Sequence, residues 1–132
     1  LRVDAVPASL AIAQAALESG WGTSRVARTS QALFGHTTGV WREGSDYPDL
    51  RRFATLTEAV GAYVENLNTN RAYARFRAAR AAMRRNGGEI DVNTLVNHLV
   101  RYSERGADYV RDVRALIRAN DLRALDGARF VD

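Results

Sequence analysis

The sequence predicts a mainly α domain, α+β in class, with one short β-hairpin or loop, and three observations carry that prediction. Apolar residues recur at helical spacing in several segments separated by glycine and polar residues. One stretch, Gly39 to Phe53, breaks that period and sets Val40, Trp41, Tyr47 and Pro48 among polar residues, as a long loop or a short hairpin does. The chain has 132 residues and is 46% hydrophobic, a size and composition suited to a single packed core, so one domain over residues 1–132 is expected.

The elements follow in order. Leu10, Ile12, Ala13, Ala16 and Leu17 largely fit one helix, with Ser9 as its N-cap and Gly20 as its stop, which puts Glu18 in the last turn. A short turn or helix is expected over residues 23–28, followed by an irregular Leu33-Phe34-Gly35 and then the loop or hairpin. Thr55 and Glu58 have capping-box spacing ahead of a helical face of Ala59, Val60, Tyr63, Val64 and Leu67. A further helix is expected over residues 70–85, with Tyr73, Phe76, Ala79 and Met83 inward and Gly87-Gly88 ending it. Asp91 or Asn93 caps the next, whose face is Leu95, Val96, Leu99 and Val100, and Gly106 closes it. Asp108 opens a last helix that carries Tyr109, Val110, Val113, Leu116 and Ile117.

Composition removes several chemistries. There is no cysteine, hence no disulfide framework, thiolate metal site or cysteine nucleophile. The longest apolar run, Leu10 to Leu17, is too short to span a bilayer and is interrupted by Gln14. The chain starts at Leu1 with no methionine or basic leader, so a processed or trimmed fragment is expected, its export signal out of view. All 19 basic residues are arginine, against 15 acids, for a net charge of +4. A basic surface suits an anionic polymer, either nucleic acid or the acidic glycan of a cell wall; for most of the arginines the preferred reading is that they solvate helix faces.

Glu18 is the first candidate for chemistry. Cleavage of a glycosidic bond needs a carboxyl still protonated near neutral pH, usually one held beside apolar or aromatic surface. Glu18 follows Ala15-Ala16-Leu17, and Trp21 lies just beyond it between Gly20 and Gly22, which let the backbone turn sharply. A helix C-terminus also disfavours negative charge, so both features are expected to raise the Glu18 pKa. The alternative is an ordinary exposed helical glutamate.

The run Gln14-Ala15-Ala16-Leu17-Glu18-Ser19-Gly20-Trp21-Gly22, followed by Leu33-Phe34-Gly35, resembles the signature of the bacterial glucosaminidase domains of glycoside hydrolase family 73, which includes flagellar peptidoglycan hydrolase domains and autolysins. Residues 63–70 with Ala72-Tyr73, and Tyr102-Ser103-Glu104-Arg105-Gly106 with Tyr109, resemble its Bax-like branch. The resemblance runs from about Pro7 to Asn120. It implies a lysozyme-like helical fold with a groove, endo-β-N-acetylglucosaminidase activity on the glycan strand of peptidoglycan, and a periplasmic, cell-envelope or secreted location. The family's catalytic glutamate falls on Glu18, and its active-site tyrosine on Tyr102 or Tyr109.

The sequence departs from its relatives where many carry a second carboxylate. The loop lacks their Thr-Glu-Tyr segment and offers Glu43, Asp46 and Asp49, of which Glu43, between Trp41 and Gly44, is best placed. Without a second carboxylate, the substrate's own 2-acetamido oxygen or a tyrosine, Tyr102, would have to serve. Candidate sugar platforms are Trp21, Phe34, Trp41, Tyr47, Tyr73 and Tyr109, with Trp21 and Trp41 preferred and Tyr73 open between core and groove. Tyr63, Phe53 and Phe76 read as core.

His36 and His98 are too few for a zinc site, so neither metal nor cofactor is expected; His36 reads as a surface-loop histidine. The expected partner is the peptidoglycan glycan strand, with a monomeric protein. A nucleic-acid binder is the rival class, because Arg71, Arg75, Arg77, Arg80, Arg84 and Arg85 share one helical segment; they are spread around it, however, with no phosphate-cradling motif. A second rival is a wall-binding module that keeps the fold but has lost its base.

Overall fold

A computed structural model describes residues 3–46 and 48–128; Tyr47, one of the aromatics expected in the loop, lies outside them. The helices are α1 (Ala8–Ser19), α2 (Arg25–Ser30), α3 (Leu56–Thr69), α4 (Ala74–Arg85), α5 (Val92–Val96) and α6 (Ala107–Ala119), with 3-10 turns at Arg71–Tyr73, Asn97–Leu99 and Leu122–Leu125. The protein is mainly α, as the periodicity predicts. Among the described residues the one β feature is an antiparallel bridge between Thr37 and Leu50. Backbone bonds from Thr38 to Asp49, Asp49 to Val40 and Arg51 to His36, each 2.8 Å, tie the loop's arms together. No helix among the described residues is long and apolar enough to cross a membrane.

The helix ends show which local signals held. Ser9 does not cap α1: the Pro7 carbonyl accepts from Leu10 and Ala11 N–H at 3.1 Å, and the helix starts at Ala8, two residues earlier than a Ser9 cap allows. Ser9 is buried in the first turn, its N–H and Oγ donating to the Asp126 carboxylate at 2.8 and 2.7 Å. At α2, Ser24 Oγ accepts from Ala27 N–H, so this helix starts two residues later than the expected segment. Thr55 and Glu58 form a capping box whose return arm reaches one residue further back, from Ala54 N–H to Glu58 Oε2 at 3.0 Å.

The single helix expected from Asn70 is broken. Asn70 Oδ1 caps the 3-10 turn by accepting from Ala72 N–H, and α4 begins only after Tyr73. Asp91 caps α5 through Asn93 N–H and Thr94 Oγ1. Gly106, with φ 57° and ψ −120°, is the N-cap of α6 and not the end of the preceding helix, which stops at Leu99.

The chain divides into two compact units, residues Leu1–Ala13 with Val64–Asp132, and Gln14–Tyr63. In the first, α5 packs against α4 and α6, and α6 buries Tyr109, Val110, Val113 and Ile117 on one face. Val100, expected on the inner face, is 45% exposed, because the helix has given way to turns there. This unit also buries Arg80 completely. Its guanidinium donates to the Asp4 and Ala5 carbonyls and to Asn68 Oδ1 at 2.6 Å, with the Asp4 carboxylate 4.0 Å away. Arg84 closes on Asp4 at 3.0 Å, and that bond holds the Asp4 carboxyl below its ordinary range.

The second unit buries Ala16, Ala27, Ala32, Phe34, Ala59 and Tyr63. At its centre Phe34 is stacked on Tyr63 with centroids 4.1 Å apart and planes 12° apart. Val60, expected inward, is 42% exposed, at the edge of the α3 face that buries Ala59 and Tyr63.

Candidate active site

The end of α1 is built by a chain reversal. Ser19 is the last helical residue, and Gly20, Trp21 and Gly22 follow with φ of 58°, 60° and 75°. Trp21 N–H donates to the Ala16 carbonyl at 2.9 Å, a Schellman closure with Gly20 at the left-handed position. Buried Ser19 locks the turn: its Oγ donates to the Ala15 carbonyl and accepts from Gly22 N–H, while its carbonyl accepts from Ser24 N–H. Left-handed backbone at a tryptophan costs about 1–3 kcal/mol and persists only where the surroundings impose it. Here the outcome is an indole held 57% exposed, just past Glu18.

Glu18 lies in the last turn of α1 as expected, but it is exposed and not packed under apolar surface. Its carboxyl lies across the backbone of Gly35. A Cβ at Gly35 would stand 2.8 Å from Glu18 Oε2 and 3.4 Å from Cδ, and Gly35 itself has φ +67°. The neighbouring Phe34 stacks on Tyr63, whose hydroxyl donates to Gln14 Oε1 at 2.6 Å. Gln14 is one helical turn before Glu18 on the same face of α1. The contacts therefore form a closed circuit, Gln14 to Tyr63 to Phe34 to Gly35 to Glu18, fastened at both ends to α1.

The other residues singled out in the sequence distribute as follows. In the loop, Trp41 is 61% exposed and Glu43 sits exposed in the turn beside Gly44. Asp46 is exposed, while Asp49 pairs with Arg42 at 2.6 Å. Phe34 exposes only 4%, so its ring, expected as a sugar platform, packs on Tyr63 and offers no open face. Tyr73, Tyr102 and Tyr109 form a row in the other unit. Tyr102 stacks on Tyr109 at 5.8 Å and tilts against Tyr73 at 6.0 Å. Tyr73 and Tyr109, at 6% and 2% exposure, also lack open faces; Tyr102, between them, is half-buried and the most accessible of the three.

His36 departs from its expected surface position. It is half-buried, edge-on to Phe53 at 6.0 Å and tilted to Phe34 at 6.4 Å, and neither ring nitrogen has a hydrogen-bond partner. Burial, with the Arg51 charge adding to it, holds its pKa below the ordinary 6.5.

A family model described as Glucosaminidase, mannosyl-glycoprotein endo-beta-N-acetylglucosaminidase, matches residues 2–122. The chain belongs to this glucosaminidase family. It is also 37% identical over 122 residues to Protein bax of Escherichia coli (strain K12), a match covering 90% of this chain and 44% of that relative. The chain thus spans less than half the length of the relative. No solved structure matches it.

Within this glucosaminidase-family chain, the signature run around Glu18 coincides with the reversal at the end of α1, and its Leu-Phe-Gly element supplies the backbone under the carboxyl. Sequence reading missed two members of that arrangement. Gly35 is a contact of Glu18 and not merely a residue of an irregular segment; its one signal was its place in the Leu33-Phe34-Gly35 element. Gln14 is a buried acceptor, signalled by a lone amide inside an otherwise apolar run.

Proposed function

We propose that this chain is a peptidoglycan hydrolase of the cell envelope, an endo-β-N-acetylglucosaminidase that cuts between N-acetylglucosamine and the following N-acetylmuramic acid, with Glu18 as general acid. The observation that carries this reading is the presentation of Glu18. Its carboxyl is exposed at a helix end, laid over a residue with no side chain, and followed by a rigid turn that holds Trp21 out.

In the proposed reaction Glu18 donates its proton to the glycosidic oxygen as the bond to the anomeric carbon breaks. Water adds to that carbon and releases a proton, which restores the acid or passes to a second group. Three candidates for that group follow from the sequence: Glu43 on the loop, the substrate's own 2-acetamido oxygen, and Tyr102. Trp21 and Trp41 have the open ring faces on which sugar C–H surfaces stack. Digestion of purified peptidoglycan, reduction with borohydride and mass analysis test the bond: reduced N-acetylglucosamine ends are expected. Muramic acid ends, reduced or anhydro, would assign cleavage to the neighbouring bond.

The second reading is a wall-binding module of the same family. It is favoured by the loop acids, since Glu43 and Asp46 are exposed and Asp49 is neutralised by Arg42. Such a module would sediment with peptidoglycan and release no soluble fragments.

A further inference from the structure

We propose that Gly35 is a positioning residue for Glu18: its lack of a side chain fixes the place of the carboxyl, and adding a single methyl group displaces the acid without unfolding the chain. This rests on the reading of Glu18 as general acid.

Two properties of Gly35 can be separated. It has positive φ, which disfavours any L side chain, and it is in contact with Glu18. Gly22, Gly39, Gly44, Gly87, Gly88 and Gly106 share the first property, yet a Cβ at any of them meets nothing within 4 Å. At Gly35 the added Cβ faces Oε2, Cδ and Cβ of Glu18 at 2.8, 3.4 and 3.8 Å. The nearest atoms belong to the end of a flexible, exposed side chain, so the low-cost response is rotation of Glu18. The backbone on the other side of the contact is less able to give way. Phe34 is stacked on Tyr63, and Tyr63 is bonded to Gln14, which stands on α1 one turn from Glu18. Any retreat of Gly35 therefore disturbs a buried aromatic pair, whereas rotation of Glu18 moves the end of an exposed side chain. A displacement of about 1 Å in a reacting group lowers turnover by about 10²-fold.

The test uses the whole chain and soluble glycan fragments of peptidoglycan as substrate. Gly35→Ala is compared with Gly88→Ala, whose φ is +86° and whose Cβ would be in open space. Gly35→Ala is expected to lose kcat by about 10²-fold with KM changed less than about twofold, and to melt within a few degrees of Gly88→Ala, which keeps wild-type kcat. In a Glu18→Asp background, where the shorter side chain withdraws the carboxyl, the same substitution is expected to cost less than about tenfold. A Gly35→Ala enzyme as active as Gly88→Ala would overturn the positioning role, and so would an equal loss in both backgrounds. Full activity in Glu18→Gln would instead overturn the reading of Glu18 itself, and the positioning role with it.

Discussion

Replacing Tyr63 with phenylalanine removes one oxygen from the interior and keeps the ring that stacks on Phe34. The hydroxyl donates to Gln14 Oε1 at 2.6 Å, and both side chains are fully buried. The substitution takes this donor from a buried amide oxygen that water does not reach, a loss of about 1–3 kcal/mol. For 132 residues the unfolding entropy near the midpoint is about 0.28 kcal/mol per kelvin, so a loss of 2 kcal/mol lowers the melting temperature by about 7 °C. Urea titration and thermal melts followed by circular dichroism read both quantities. Gln14→Leu with Tyr63→Phe replaces both partners by apolar groups and is expected to recover part of the loss, a coupling of at least about 0.5 kcal/mol. A Tyr63→Phe protein within about 0.3 kcal/mol of wild type, together with additive single and double variants, would refute the bond's role in tying Tyr63 to α1.

The remaining predictions concern charge and surface. His36 has a folded-state pKa below 6.5, so on acidification the unfolded chain takes up the proton first and stability falls as pH drops below about 6.5. His36→Leu is expected to flatten that part of the stability profile; an unchanged slope between about pH 7 and 5 would mean that another group causes it. Arg80→Met leaves the Asp4 and Ala5 carbonyls and Asn68 Oδ1 without the guanidinium and is expected to cost about 3–5 kcal/mol in urea titration, with a loss below 1 kcal/mol counting against the buried cluster. Trp41→Ala is expected to leave stability within about 0.5 kcal/mol and to weaken glycan binding about tenfold. Unchanged affinity would remove Trp41 from the list of sugar platforms.

What was legible in the sequence was what local patterns specify. The face of α6, Tyr109, Val110, Val113 and Ile117, follows from helical spacing, and the end of α1 at Ser19 follows from Gly20. The position of Glu18 in a last turn is local in the same way. The misplaced residues are those whose partners are far along the chain. Ser9 looks like a cap until Asp126, 117 positions away, takes both its donors. Arg80 looks like one more surface arginine until the Asp4 carbonyl, 76 positions away, receives it. Phe34, beside a glycine in an irregular segment, reads as an exposed platform because nothing local reveals the Tyr63 ring beneath it. Gly106 reads as a stop because a left-handed glycine can follow one helix or precede another, and spacing alone does not distinguish the two.

The role of Glu18 is tested most directly by fragment release from purified peptidoglycan, wild type and Glu18→Gln side by side at equal concentration. The expected result is release of fragments ending in N-acetylglucosamine by the wild type and a rate at least about 10²-fold lower for Glu18→Gln. The two proteins should melt within about 2 °C of each other, because the exchanged group is exposed. Equal release by both proteins would contradict the assignment of Glu18 as the acid.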